Sequence, residues 1–396
     1  MSTSARDAGQ PDAKSDTLGG IIMLSAAALA LVWANSPWAA SYSEALSWTL
    51  GPATLGMSKS LGLWISDGLM AIFFLYVGLE IKREMVEGRL SSRDRIALPA
   101  IAALGGMIVP ALFFLAFNKS DAMAARGWAV PCATDIAFSL AVLRVVGNRV
   151  PISLRVFLTA VAILDDIGAI AIIAFFYTEQ LSMTMLLLAL IPIAGLVALN
   201  RARVASMIPY ALFGIALWYC VLKSGIHPTL AGVAVAASIP MQTARGRTLE
   251  SLEHGLKPWV VFLVLPVFAL ANAGVSLRGL GFSGLLEPVA LGIILGLLFG
   301  KTVGVALGIL AAKLLNISRP PEGASWLQLL GIAHLCGIGF TMSLLVAVLA
   351  YETQAPHLFD EAKLGVLVGS MLGAIAGIVV LLLASRPKAA TVRATE

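Results

Sequence analysis

Two adjacent carboxylates interrupt the long apolar run FLTAVAILDDIGAIAIIAFFY of residues 157–177. If residues 151–177 form one helix, Asp165 and Asp166 lie roughly 18–20 Å from either end, at about 1.5 Å of rise per residue. Burial disfavours the charged form of a carboxylate, and a second carboxylate nearby disfavours it further. Carboxylate oxygens also suit small hard cations. The pair therefore predicts a site where Na⁺ or Li⁺ competes with protons, with Asp165 and Asp166 as its ion ligands.

Two more ionisable residues stand deep in apolar segments: Asp135 in AVPCATDIAFSLAVL and Lys301 in LGIILGLLFGKTVGVALGILAA. A charge at the bilayer centre costs about 2.5–3.5 kcal/mol on insertion scales, so such residues usually have partners or functions. Neighbouring helix residues point about 100° apart, so Lys301 could face one carboxylate of the pair while the other faces a cavity. A purely structural ion pair is the alternative, but it leaves two carboxylates unpaired.

The composition predicts an all-α polytopic membrane protein. Of the 396 residues, 59% are apolar and only 12% are charged, against about 25% charged in soluble domains. No nucleotide, cofactor or catalytic Ser/His/Asp motif stands out, so we expect neither an enzyme nor a cofactor, and the net charge of +5 is not a nucleic-acid signal. Runs of about 20 apolar residues cross a bilayer as helices. Twelve such spans are predicted, at 18–36, 61–81, 96–117, 128–147, 151–177, 181–200, 206–222, 225–240, 258–276, 287–313, 326–350 and 363–385.

Basic residues favour one orientation. With the N-terminus in the cytoplasm, 20 of the 27 Lys and Arg fall on the cytoplasmic side, as the positive-inside rule expects. The predicted organisation is a mobile cytoplasmic tail (1–17), a single transmembrane domain (18–385) and a second cytoplasmic tail (386–396). The outside loop 37–60 is either a short hairpin or irregular.

Two predicted spans, the fourth and the eleventh, carry signs of interruption. Pro131 disfavours helix just before Thr134 and Asp135, and the eleventh span has Gly331, Gly337 and Gly339 near its middle. Broken helices at corresponding places in two halves indicate an inverted-repeat transporter. Asp135 could then compensate the positive ends of the half-helices, and Lys301 the negative ends.

These residues carry a resemblance. WAVPCATDIAFSLAVL, FLTAVAILDDIGAIAIIAFFYT, VLKSGIHPTLAGV, PVFALANAGVSL, GLLFGKTVGV and LCGIGFTMSLL resemble segments of the NhaA family of bacterial sodium/proton antiporters, and the similarity runs from about residue 18 to 385. The resemblance implies twelve helices with inverted repeats and two broken helices crossing at mid-membrane. It also implies ion and proton binding by Asp165 and Asp166, pairing of Lys301 with Asp165, and Thr134 and Asp135 at the helix break.

The resemblance further implies a homodimeric, multi-pass inner-membrane protein with cytoplasmic termini. It would exchange Na⁺ or Li⁺ for protons electrogenically, two protons per sodium, as a secondary active transporter in sodium extrusion and pH homeostasis. Loop 37–60 would be the dimerisation hairpin in the lipid bilayer. The candidates for the pH response are Glu80, Glu84, Glu253 and His254, and those for lining the ion route are Asp67 and His227.

Alternatives from other classes remain open at this point. Asp135 and Asp165 could be the two aspartates of an intramembrane protease, although Lys301 and the absence of a GxGD motif argue against it. A sodium-coupled solute symporter would also use broken helices and Asp ligands. A channel is disfavoured because no filter-like repeat is visible. Near Glu253 the sequence departs from the family pattern, because Lys257 stands where that pattern has a second histidine.

Overall fold

The computed structural model describes residues 10–88, 90–178, 181–277 and 283–384, and these residues are mainly helical. The helices are α1 (Gln10–Asn35), α2 (Ala39–Ser47), α3 (Leu61–Val86), α4 (Arg93–Asn118), α5 (Ala122–Cys132), α6 (Ile136–Val146), α7 (Ile152–Phe176), α8 (Met183–Arg201), α9 (Met207–Ser224), α10 (Thr229–Ser238), α11 (Thr248–Asn272), α12 (Pro288–Leu314), α13 (Trp326–Cys336), α14 (Phe340–Tyr351) and α15 (Pro356–Ala384). Short 3₁₀ turns lie between these helices at Ala53–Leu55, Gly147–Arg149 and Ser283–Leu286.

The membrane-protein architecture expected from composition is confirmed. Within the described ranges, nine helices are long and apolar enough to cross a membrane, and two bent pairs, α5–α6 and α13–α14, bring the number to eleven. The chain is therefore an all-α polytopic membrane protein. Both bent pairs coincide with the spans predicted to be interrupted.

The predicted eighth span is shorter than expected. It contains only α10, whose 10 residues reach about 15 Å, half the thickness of a hydrocarbon core. Pro228 precedes this helix and Pro240 follows its end, and proline has no backbone N–H to continue a helix. In the apolar run at 225–240, helix is thus confined to Thr229–Ser238, and the flanking residues form turns and irregular chain.

Loop 37–60 contains regular structure. It begins with α2 and ends in a minimal antiparallel hairpin, in which β1 (Thr49–Leu50) pairs with β2 (Lys59–Ser60). Tyr42 of α2 ties the loop to the end of α11, because its hydroxyl donates to the carbonyl oxygens of Leu270 and Ala271 at 2.9 and 3.0 Å. Burial raises the pKa of Tyr42 to about 12. A hairpin therefore forms on this side, anchored on a transmembrane helix.

Close helix packing sets the position of Lys301 on α12. A Cβ atom built on Gly105 of α4 would lie 2.2 Å from the carbonyl oxygen of Gly304, so only glycine allows the two backbones to approach this closely. One turn of π-helix, Gly296–Gly300, directly precedes Lys301. Such turns widen a helix locally and are common at functional sites.

The ends of the chain are only partly described. Helix α1 begins at Gln10, inside the predicted tail 1–17, and its apolar part begins at Thr17. Residues 1–9 of that tail and the whole predicted tail 386–396 lie outside the described residues.

Candidate functional site

The two broken helices meet at their breaks. Helices α5 and α6 bend by 46° across residues 133–135, and α13 and α14 bend by 42° across residues 337–339. The backbone N–H of Asp135 donates to the carbonyl oxygen of Ile338 at 2.7 Å. Each break thus supplies partners for the backbone groups that the other leaves unpaired.

Asp135 caps helices from both broken pairs. Its Oδ1 accepts the N–H of Phe138 in α6 at 2.9 Å. Its Oδ2 accepts the N–H and the hydroxyl of Thr341 in α14 at 3.1 and 2.5 Å. Both half-helices begin at the crossing, where their dipoles place partial positive charge. The carboxylate is 2% exposed, and both of its oxygens are occupied by these donors.

Lys301 lies at the C-terminal end of the half-helix α5, where backbone carbonyl groups face it. Its ammonium group is completely buried, and its Nζ lies 2.7 Å from Oδ2 of Asp165. The same Nζ donates to the carbonyl oxygen of Cys132, the last residue of α5, at 2.5 Å. A cation at a helix C-terminus is electrostatically favourable, so one side chain stabilises both a helix end and a buried carboxylate.

The hydroxyl of Thr134 lies between two acceptors. Its Oγ1 is 2.6 Å from Oδ2 of Asp165 and 2.7 Å from the carbonyl oxygen of Cys336. A hydroxyl has one proton to donate, so it cannot satisfy both at once while Asp165 is ionised. If Asp165 is protonated, its O–H can donate a hydrogen bond to the hydroxyl oxygen of Thr134, while Thr134 donates to the carbonyl oxygen of Cys336. The hydrogen-bond pattern therefore depends on the charge of Asp165.

The adjacent carboxylates have different surroundings. Among the described residues, Oδ1 of Asp165 and Oδ1 of Asp166 are buried without a hydrogen-bond partner. Asp166 lines a cavity of ≈ 100 Å³ together with Glu80 of α3, Asp135, Thr341 and Lys257 of α11. Asp165 instead borders a void of only ≈ 10 Å³ with apolar walls. Asp166 thus faces a space large enough for water or a small ion, and Asp165 faces Lys301.

A network of charges connects α3 and α11 near this cavity. Arg83 binds Glu253 through Nε at 2.7 Å and through a second nitrogen at 3.1 Å, and it also contacts Glu84 at 3.0 Å. Glu80 lies one helical turn before Glu84, on the cavity wall. His254 is exposed, and its Nδ1 donates to the carbonyl oxygen of Glu250. Three of the four candidates for the pH response are therefore close together, and His254 points away.

A second cavity, of ≈ 200 Å³, opens at the other end of α3. Asp67 lines it, with Oδ2 2.6 Å from Nζ of Lys59 and Oδ1 3.5 Å from Nε2 of His227. Burial lowers the pKa of His227 to about 4, so this imidazole is neutral at physiological pH. Glu352 lies on the wall that this cavity shares with a neighbouring one. Both predicted route-lining residues are thus in one cavity, separate from Asp166.

Several contributors were not among the predicted site residues. Thr341 lies in the first turn of α14, two residues after Gly339 in the stretch GIGFTMS. A polar residue so close to a predicted interruption could have been recognised from the sequence. Arg83 and Lys59 have no such signal, because basic residues at the ends of spans are common and their partners are distant in sequence.

Comparison of the sequence with known proteins identifies a family. The family described as Na⁺/H⁺ antiporter 1 matches residues 12–381. Similar proteins include a Na(+)/H(+) antiporter NhaA of Nitrobacter hamburgensis, 53% identical over 93% of this chain and 89% of the relative. The NhaA of Rhodospirillum rubrum is 51% identical over 94% of this chain and 96% of its own length, and NhaA 2 of Pseudomonas savastanoi is 55% identical over 92% of each. This chain belongs to the NhaA family of Na⁺/H⁺ antiporters.

Proposed function

We propose that this protein exchanges cytoplasmic Na⁺ or Li⁺ for external protons across the bacterial inner membrane. The observation that carries the proposal is the asymmetry of the buried pair. Asp166, which has an unpartnered oxygen, lines the ≈ 100 Å³ cavity together with Glu80, while Asp165 is held by Lys301. The family membership and the printed names of the relatives support the same activity.

In the proposed cycle, a cation and protons compete for Asp165 and Asp166. The free Oδ1 atoms of the two residues are available to a hard cation that arrives through the cavity. A cation bound there competes with the ammonium group of Lys301 for Asp165. When the cation leaves, protons or the ammonium group again neutralise the carboxylates, because an uncompensated charge is costly at this depth.

The cavities suggest alternating access with the present conformation open toward Glu80. On that side the ≈ 100 Å³ cavity reaches Asp166, whereas the void beyond Asp165 is ≈ 10 Å³ and lined by apolar groups such as Ala169 and Val346. The excess of basic residues supports a cytoplasmic location for that side and for both termini. Opening toward the Asp67 cavity would complete the cycle.

A stoichiometry of two protons per sodium is part of the proposal, since two carboxylates share the site. Each turnover would then move one net positive charge inward. The membrane potential would contribute about 2.3 kcal/mol per 100 mV to sodium extrusion.

Regulation and assembly complete the proposal. The Arg83 network with Glu84 and Glu253 is the proposed pH-responsive element, because its charges lie close to Glu80, which lines the cavity at Asp166. The hairpin in loop 37–60 is the proposed contact of a homodimer within the lipid bilayer.

The protease alternative loses support from the contacts of Asp135. A catalytic aspartate must exchange a proton with its partner, but both oxygens of Asp135 accept hydrogen bonds from helix N-termini. The symporter alternative has no specific observation in its favour and is separated by the experiment below.

The test uses everted membrane vesicles with an acid interior, and a pH-sensitive dye monitors the proton gradient. Addition of NaCl or LiCl, but not KCl, is expected to collapse the proton gradient, and Asp166→Asn is expected to abolish this response. Glu322→Gln, the same chemical change at an exposed position, is the matched control and should respond like wild type. No response of the wild type to Na⁺ or Li⁺ at any pH from about 6.5 to 9 would refute the exchange and favour a symporter.

A further inference from the structure

We propose that Lys82 is a positioning residue, which fastens the short helix α10 to α3 and thereby fixes the wall of the cavity at Asp166. The inference rests on the proposed function for its transport readout. It concerns a side chain that makes no contact with the ion site itself.

The first observation is the way in which α10 ends. The last carbonyl groups of any helix lack intrahelical donors. Lys82 Nζ donates to the carbonyl oxygens of Ala237 at 2.7 Å and Ile239 at 2.6 Å. Asn200 of α8 donates to the carbonyl oxygen between them, that of Ser238, at 2.7 Å. Side chains from two other helices thus satisfy three consecutive carbonyls at the point where α10 stops.

The second observation is that α3 and α10 pack with almost no space between their backbones. A Cβ atom on Gly232 would lie 2.2 Å from the carbonyl oxygen of Ala71, and one on Gly78 would lie 2.7 Å from Cβ of Ala236. Lys82 follows Gly78 by four residues and therefore lies on the same face of α3. Its two hydrogen bonds close the end of this interface.

The third observation is that one face of α3 lines the cavity at Asp166 and another face packs against α10. Phe73, Val77 and Glu80, spaced by four and three residues, line the cavity at Asp166. Lys82 is two residues beyond Glu80, which places it about 200° around the helix. Any change in how α3 sits against α10 therefore displaces the cavity wall, because the two faces belong to one rigid helix.

The opposite end of α10 lies close to the same helix. His227 lies just before α10, and its Nε2 is 3.5 Å from Asp67 of α3. The 10-residue helix thus contacts α3 at both ends. In this proposal α3 and α10 act as one unit between the cavity at Asp166 and the cavity at Asp67, and Lys82 maintains this unit.

The test compares Lys82→Met, which keeps the length of the side chain but removes its donors, with Lys82→Arg, which keeps them. In vesicles, Lys82→Met removes both hydrogen bonds and is expected to raise the apparent KM for Na⁺ by at least about tenfold, since loss of even one hydrogen bond from a charged group shifts an equilibrium by roughly that factor. Vmax per protein is expected to stay within about twofold, because Lys82 does not contact the ion site, and Lys82→Arg is expected to restore the KM. Lys119→Met, at an exposed lysine, is the control.

A readout independent of transport separates this inference from the proposed function. Val77, on the cavity wall, is replaced by cysteine in a background without the three native cysteines, and the rate of labelling by a small cationic thiol reagent is measured. Faster labelling in Lys82→Met, but not in Lys119→Met or Lys82→Arg, supports the positioning role even if no antiport is found. Unchanged labelling and KM in Lys82→Met, or a loss confined to protein yield and Vmax that Lys82→Arg does not rescue, would overturn it.

Discussion

The ion pair of Lys301 and Asp165 allows a quantitative prediction. Replacing Lys301 with methionine keeps the length of the side chain but leaves a buried carboxylate without its ammonium partner, 2.7 Å away. Both side chains are completely buried, so the loss of one partner is expected to lower the free energy of unfolding by about 3–5 kcal/mol. With an unfolding entropy of about 2.1 cal/mol/K per residue, this corresponds to a fall in Tm of about 5 °C.

Adding Asp165→Asn to Lys301→Met tests the physical cause. The double variant removes both charges, and its amide can still accept a hydrogen bond from Thr134. Most of the stability is expected to return, with a remaining deficit of about 1–3 kcal/mol because the carbonyl oxygen of Cys132 loses its donor. Thermal unfolding of purified protein in detergent, measured as loss of helical signal, gives the Tm values of the two variants, which are compared with that of wild type.

The reasoning is refuted if the double variant is as unstable as Lys301→Met or less stable. That outcome would mean that the methionine disturbs packing between α4 and α12, rather than exposing an uncompensated charge. A Tm of Lys301→Met equal to that of wild type would equally contradict the electrostatic account.

Three further outcomes are expected in the same unfolding assay. Thr341→Val should cost about 1.5–3 kcal/mol, because Asp135 loses a donor at 2.5 Å; no change in Tm would remove Thr341 from the site. Gly105→Ala should strongly reduce folded protein, because its Cβ would lie 2.2 Å from a backbone oxygen, while Gly255→Ala, with open space around it, should be neutral or slightly stabilising. His227 binds a proton less readily when folded, since its pKa is about 4 instead of 6.5. Stability should therefore fall by up to about 3 kcal/mol as the pH drops from about 6.5 to 4, and a smaller fall is expected in His227→Gln.

The helical architecture and the positions of the two breaks could be predicted from the sequence. Charges are so costly in hydrocarbon that Asp135, Asp165, Asp166 and Lys301 stand out from their apolar surroundings. Pro131 and the glycines around Gly337 weaken helix locally, so interruptions could be predicted at both places. The breaks lie where those signals are.

The length of α10 and the partners of the basic side chains were harder to predict. An apolar run predicts a span, and only Pro228 and Pro240 indicate that the helix is half that length. The pairing of Arg83 with Glu253 joins residues that are 170 positions apart, and Lys82 contacts carbonyl oxygens, which have no sequence signature. Such contacts depend on how the helices pack.

Competition between a cation and protons for Asp166 is the central claim, and equilibrium binding of ²²Na⁺ to purified protein tests it most directly. Binding is expected at alkaline pH, to weaken progressively as the pH falls, and to be absent in Asp166→Asn but retained in Glu322→Gln. Binding that does not depend on pH, or that persists in Asp166→Asn, would contradict the account.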